Sequence, residues 1–354
     1  MGTYSRYLST ENKLTTYSEH LNAINSLFGV CSNQYFLFFD NRIAEGITMT
    51  GQYIIRRVAE SLNNKLSEIS GENSDKVTAI DTDSNYLHFG PIVKKYLSTI
   101  KDDNKVTDAI IKISNSKIAP LLDSVTSDIA SDMNFYQNRM FMKLEGIAPK
   151  SIFLAKKRYI QKIIDNEGVR YAKPEVKIVG LETQRSSTPD LVREWLTDAI
   201  KLILDDCGRD GLIRHIDMRR EEFRSYKPED VAFPRSANNL TKFTCSTKIY
   251  KGGTPIGVRA ALLYNHLVKQ HGLESTLDII REGDKIKFLY LKMPNTIREN
   301  VIGFPSEFPT EFKLNKYVDY DLQFEKAFLD PLVKIMDALK WQLTEPNSLD
   351  DFFN

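Results

Sequence analysis

The sequence predicts an α+β fold on three observations: a long helical apolar period near its start, short alternating runs joined by turn residues in its middle, and a mainly helical pattern after about residue 185. In the first, Ile43, Ile47, Ile54, Val58, Leu62 and Leu66 recur at helical spacing, with Arg56, Arg57 and Glu60 between them. The polar run Ser70-Gly71-Glu72-Asn73 ends that helix. Lys76–Ile80 and Asn85–Phe89 then read as strands on either side of Asp81-Thr82-Asp83-Ser84, a β-hairpin with two aspartates at its tip, stopped by Gly90-Pro91. Residues 104–139 follow a helical period through Ile110, Ile113, Leu121, Leu122, Val125 and Ile129, with a break or a new start at Pro120. Met140–Glu145 reads as a strand, and Ser151–Ile164 as a strand pair with Lys156-Lys157-Arg158 embedded in it. Thr188-Pro189-Asp190 reads as a helix start with Thr188 as the cap, leading into Leu191–Leu204. The shift in composition places a domain boundary near residue 180, and no internal repeat or low-complexity tract interrupts the chain.

At 354 residues, 42% hydrophobic and 27% charged, the chain has the composition of a globular protein rather than a disordered one. Forty-eight basic residues against forty-seven acidic ones give a formal charge of +1, so a nucleic-acid or membrane partner must be sought in local charge. Cys31, Cys207 and Cys245 are far apart and form no CxxC pair, which argues against a disulfide framework or a structural zinc site and for a reducing compartment. The opening MGTYSRYLSTENKL lacks the apolar stretch of a signal peptide, and no window approaches a membrane span, so no membrane partner is expected.

Three local patterns carry chemistry. Two carboxylates two residues apart at a hairpin tip can face one divalent cation, with magnesium and phosphate oxygens as the natural ligand chemistry, although Asp-Thr-Asp-Ser also reads as a solvated turn. Glu145, in an otherwise apolar run, is a third candidate carboxylate, or an edge or salt-bridge residue. The segment 151–185 holds Lys156, Lys157, Arg158, Lys162, Arg170, Lys173, Lys177 and Arg185 interleaved with Tyr159 and Tyr171, a basic stripe suited to a phosphate backbone or a solvated charged face. Asn25 and Phe28 lie three apart on one helical face, and Gly29 permits close backbone approach; the pattern fits packing on a base pair or a helix end with Phe28 in a core.

These patterns occur in an order that resembles family B DNA polymerases, and among them the replicative polymerases of T-even-type phages. Asn25-Ser26-Leu27-Phe28-Gly29 resembles the family's NSLYG helix, Asp81-Thr82-Asp83-Ser84 its GDTDS hairpin, and Lys156-Lys157-Arg158-Tyr159 its KKRY motif. The stretch Lys177–Pro189 and the tail Asn347–Phe353 follow in the order seen in those phage enzymes. The resemblance implies a polymerase palm, an antiparallel sheet with helices over residues 35–180, followed by a mainly helical thumb over 181–354; residues 1–34 would be a leader and the remnant of the second fingers helix. It implies that Asp83 and Asp81 hold two Mg2+ ions, with Glu145 as a supporting palm carboxylate. It further implies that Asn25, Phe28 and Gly29 face the incoming deoxynucleoside triphosphate. Lys156, Lys157, Arg158, Tyr159, Arg185 and Arg259 would contact primer-template DNA, some of them through minor-groove acceptors common to all base pairs. Leu349, Phe352 and Phe353 would dock a sliding clamp, and the setting would be the cytoplasm of an infected bacterial host.

The departures from the family set a further expectation. The family lysine one turn before the motif asparagine is Leu21 here, Ile80 stands where the family has glycine, and Phe28 lacks a tyrosine hydroxyl. Nothing in residues 1–24 resembles the DxxSLYP motif that supplies the other catalytic aspartate, nor an exonuclease domain. The expectation is therefore the C-terminal subunit of a split polymerase, inactive alone and completed by an N-terminal subunit carrying the exonuclease domain and the remaining aspartate. The alternatives are a catalytically degenerate DNA- and clamp-binding module and a fragment of a single-chain polymerase.

Overall fold

Helix α1 (Asn41–Ser70) forms where the apolar period runs, and both of its ends are fixed by local chemistry. The Asp40 side chain accepts from the Arg42 N–H at 2.9 Å, and Gly71, at φ 73°, turns the chain out while its N–H donates to the Ser67 carbonyl at 2.8 Å. The computed structural model describes residues 29–343, which divide into two units. One runs up to Pro149 and adds Ile163–Glu175; the other comprises Lys150–Lys162 and the chain from Val176 onward.

In the first unit, α1 buries Val58, Ala59, Leu62 and Leu66 against Val77, Ile92, Ile118, Leu122 and Ile129. The antiparallel hairpin β1 (Val77–Asp81) and β2 (Ser84–Leu87) follows α1 and is a sheet of two strands among the described residues. Helices α2 (Gly90–Tyr96), α3 (Asp103–Ile113) and α4 (Ala119–Asp132) come next, with a π-turn at Ser114–Ile118 just before Pro120. The helical pattern thus ends at Asp132, short of residue 139.

Met140–Glu145 is not a strand. Its alternation is real, since Met140, Met142 and Leu144 turn partly inward while Phe141, Lys143 and Glu145 stay exposed, but no neighbouring strand pairs with it. Pairing begins only at β3 (Gly146–Ile147), which lies against Asn166 and Asp165 of β5. Strands β4 (Lys150–Ala155), β5 (Arg158–Asn166) and β6 (Val169–Val179) form the rest of that sheet, with β5 paired to each of the others. Residues of β5 and β6 contribute to both units.

The second unit holds helices α5 (Asp190–Leu204) and α6 (Gly208–Phe223) around an aromatic core of Trp195, Phe223, Phe324 and Phe328. The start of α5 falls one residue later than the sequence implies: Pro189 is the cap and Asp190 the first helical residue, while Thr188 is buried. Short helices α7 (Pro228–Val231) and α8 (Leu240–Phe243) flank β7 (Phe233–Ser236). Helix α9 (Ile256–Gln270) packs on the antiparallel sheet formed by β7, β8 (Lys285–Tyr290) and β9 (Val301–Phe304). Gly303 brings that sheet onto the helix, since a Cβ there would lie 2.9 Å from the Ala260 carbonyl carbon. This three-stranded sheet adds to the mainly helical second half that the sequence implies. Its strands are short, and β9 is buried throughout, so it shows none of the alternation that marks a half-exposed strand. Helices α10 (Tyr320–Phe324) and α11 (Asp330–Ala338), joined by a π-turn, complete the unit.

Candidate active site

The two aspartates sit where the hairpin turns. Asp81 is the last residue of β1, opposite Ser84, and Asp83 is the second residue of the turn, so they flank the reversal rather than sharing one face of one strand. The Asp83 N–H donates to the Asp81 carbonyl at 2.6 Å across Thr82, whose φ is 50°. That is a γ-turn in the left-handed region, a conformation costly for a β-branched residue. The Thr82 hydroxyl donates to Asp81 Oδ1 at 3.1 Å and the Ser84 hydroxyl to Asp83 Oδ1 at 3.4 Å, so both carboxylates are oriented by their neighbours. Thr82 and Asp83 are exposed and Asp81 is half-buried.

Glu145 is not gathered to this tip: among the described residues no three His, Cys, Asp or Glu side chains form a group that could hold a metal. It is exposed just before β3, and its carbonyl accepts from the Glu167 N–H at 2.6 Å. Two carboxylates on one turn nevertheless match how Mg2+ is usually held, through one or two carboxylates with waters and substrate phosphates rather than an all-protein cage. Asp81 and Asp83 are therefore donors of the kind that suits a hard cation shared with a phosphate.

The Lys156-Lys157 pair occupies the turn between the paired strands β4 and β5, with Lys157 at φ 59°. Gly180 backs this turn, and Arg158 and Tyr159 open β5. Arg158 Nη2 lies 3.0 Å from both carboxylate oxygens of Glu182, and Arg185 Nη1 is 3.8 Å from the same side chain. Tyr159 is buried, its ring 5.5 Å from that of Phe153. The basic stripe is thus partly neutralised by acids of other elements. Lys162 pairs with Asp205 at 2.6 Å, and Arg170 bridges Asp108 at 2.8 Å and the buried Asp165 at 3.1 Å. Lys156, Lys173 and Lys177 make no ion pair with the described residues. Arg259, on α9, donates to Asn300 Oδ1 at 2.7 Å and stands over the Tyr250 ring.

Gly29 is exposed, and among the described residues a Cβ on it would meet nothing within 4 Å. Asn25, Phe28 and Leu21, and the tail residues Leu349, Phe352 and Phe353, lie outside the described residues. Sequence reading did not single out Glu182, Gly180 or Asn300. Of these only Gly180 leaves a trace, as a glycine directly after a strand-like run.

The sequence profile of DNA polymerase family B matches residues 22–339 of this chain. The DNA-directed DNA polymerase of Enterobacteria phage T4 is 30% identical over 345 residues, which cover 93% of this chain and 38% of that protein. The DNA-directed DNA polymerase of Escherichia phage RB69 is 32% identical over 346 residues, covering 94% of this chain and again 38% of that protein. The chain therefore spans less than two-fifths of the length of the curated relatives it matches, and the matched region includes both the aspartate hairpin and the Lys156–Tyr159 turn. It belongs to DNA polymerase family B.

Proposed function

We propose that this chain supplies the aspartate hairpin and the DNA-gripping turn of a DNA-directed DNA polymerase, with residues 35–180 as palm and 181–354 as thumb and clamp-binding tail. The observation that carries this reading is the hairpin itself, with Asp81 and Asp83 flanking a hydrogen-bonded turn inside the family match. Asp83 and Asp81 would hold Mg2+, which when bound lowers the pKa of the primer 3′-hydroxyl and neutralises charge on the triphosphate. The chain's own residues orient the reactants: Lys156, Lys157 and Arg185 would hold the primer-template backbone or minor groove, and Arg259 would hold the duplex farther along. Deoxynucleoside triphosphates, primer-template DNA and a sliding clamp are the implied partners, and the infected host cytoplasm the setting.

A polypeptide partner belongs to this reading. Two carboxylates are fewer than a two-metal site requires, so a further one comes from polypeptide beyond the described residues. Leu37 (86% exposed), Phe38 (71%), Ile43 and Ile47 present apolar surface in the same unit as the hairpin, the kind of surface that marks a protein contact. Primer extension by a mixture of this chain and the family's upstream polypeptide, absent with either alone, supports the reading. Extension by this chain alone contradicts the need for a partner. One observation favours a second reading, a degenerate DNA- and clamp-binding module: the triphosphate-facing lysine is replaced by Leu21. Unchanged synthesis by the mixture carrying Asp83→Ala would select that second reading.

A further inference from the structure

The hairpin that carries Asp81 and Asp83 is a two-stranded sheet, and such a hairpin alone is marginally stable in water. Its tip holds Thr82 in a left-handed conformation that persists only where surrounding structure over-determines it. One restraint lies at the other end, where β1 begins. Asn63, on the second-last turn of α1, points its amide oxygen at the backbone: Oδ1 accepts from the Lys76 N–H at 2.7 Å and from the Val77 N–H at 2.9 Å. These are the N–H groups at the root of β1, and the Val77 N–H is shared with Asp75 Oδ1 at 3.1 Å. Just past the return strand, the His88 N–H donates to the Lys76 carbonyl at 2.7 Å, so the residue clamped by Asn63 also holds the end of β2. The Lys76 side chain is fully buried, its ammonium held by Ser74 Oγ and by Glu72 at 3.5 Å, which prevents this residue from swinging out.

We propose that Asn63 is the positioning residue of the aspartate hairpin. By accepting two hydrogen bonds from consecutive N–H groups it fixes the height and direction at which β1 leaves the long helix, and hence where Asp81 and Asp83 stand four and six residues beyond Val77. The proposal rests on the reading of those aspartates as the metal-binding pair of a polymerase. Asparagine suits the task because its single carbonyl oxygen offers two lone pairs without placing a charge beside the strand.

Two variants of the full chain test it: Asn63→Leu, of similar size but without an acceptor, and Asn63→Asp, which keeps the oxygen. Mn2+ is the probe, read as paramagnetic broadening of the Asp81 and Asp83 amide signals, and amide exchange is followed at Lys76 and Val77. In Asn63→Leu, exchange at Lys76 should rise by about tenfold, the usual weight of one hydrogen bond, and at Val77 by less because Asp75 still accepts there, and the broadening should be lost, while α3 and α4 exchange as in the parent. Asn63→Asp should keep both signals near those of the parent. Undiminished broadening in Asn63→Leu, or equal loss in both variants, overturns the assignment. These readouts need no catalysis: a parent chain that binds Mn2+ at the tip yet never extends a primer when complemented would defeat the polymerase reading and leave the positioning role standing.

Discussion

Gly180 stands against the carbonyl of Lys157 so closely that a Cβ built on it would lie 2.1 Å from that oxygen. Both backbones are in the left-handed region, at φ 69° and 59°, so the turn carrying Lys156 and Lys157 is shaped from behind by a residue with no side chain. Gly180→Ala must displace the turn or the loop. The expected cost is about 1–3 kcal/mol of stability, together with weaker primer-template binding by this chain. Thermal melting and fluorescence anisotropy on one preparation check both effects; a variant with parent-like DNA affinity would show that the turn does not grip DNA.

The side chain of Asn85, opposite Ile80 in the hairpin, has both polar atoms buried with no hydrogen-bond partner among the described residues. An unsatisfied buried amide is destabilising, so Asn85→Leu, which keeps the shape and removes the polarity, should stabilise the isolated chain by about 1 kcal/mol. The check is the denaturation midpoint, and a lower midpoint in the variant would mean that Asn85 finds a partner in solution.

Burial among Trp195, Phe328 and neighbouring groups pushes the His215 imidazole below its ordinary value of 6.5, helped by the nearby Arg219 and opposed by Asp198 and Glu222. The sign follows from linkage. The unfolded chain takes up a proton as pH falls through about 6.5 while the folded chain does not, so stability declines below that pH until the folded imidazole itself protonates. Melting temperatures between pH 7.5 and about 5 should therefore fall less steeply in His215→Gln than in the parent. Parallel slopes would exclude His215 as the source.

The Cys245 thiol is lowered to about 7 by the Thr247 hydroxyl and by the backbone N–H groups of Thr247 and Lys248, whereas burial pushes the Cys207 thiol up. At neutral pH, iodoacetamide should alkylate Cys245 ahead of Cys207, with a rate that levels off above about pH 8. Thr247→Ala should slow the reaction. Peptide mass spectrometry over a time course checks the order; Cys207 reacting first would contradict it.

What the sequence discloses here depends on how far apart the interacting residues lie. Helix α1 and the hairpin were readable because their signals are local: an apolar period closed by Gly71, and Asp-Thr-Asp-Ser between two strand-like runs. Met140–Glu145 misled because alternation reports a buried face and says nothing of a partner strand. The basic stripe was overcounted because its neutralising acids, Asp108, Glu182 and Asp205, come from other elements of the chain. Strand β9 hid because a fully buried strand has no polar face. Asn63 was invisible for a related reason: in sequence it is one polar residue among many on a charged helix, and only the fold brings Lys76 and Val77 to it.

The central claim is that Asp81 and Asp83 serve nucleotidyl transfer. It is tested most directly by single-turnover insertion of one nucleotide by this chain complemented with the family's upstream polypeptide, comparing the parent with Asp83→Asn. The account predicts insertion slowed by roughly 10²-fold or more, with primer-template affinity unchanged. Insertion at the parent rate by Asp83→Asn would contradict it.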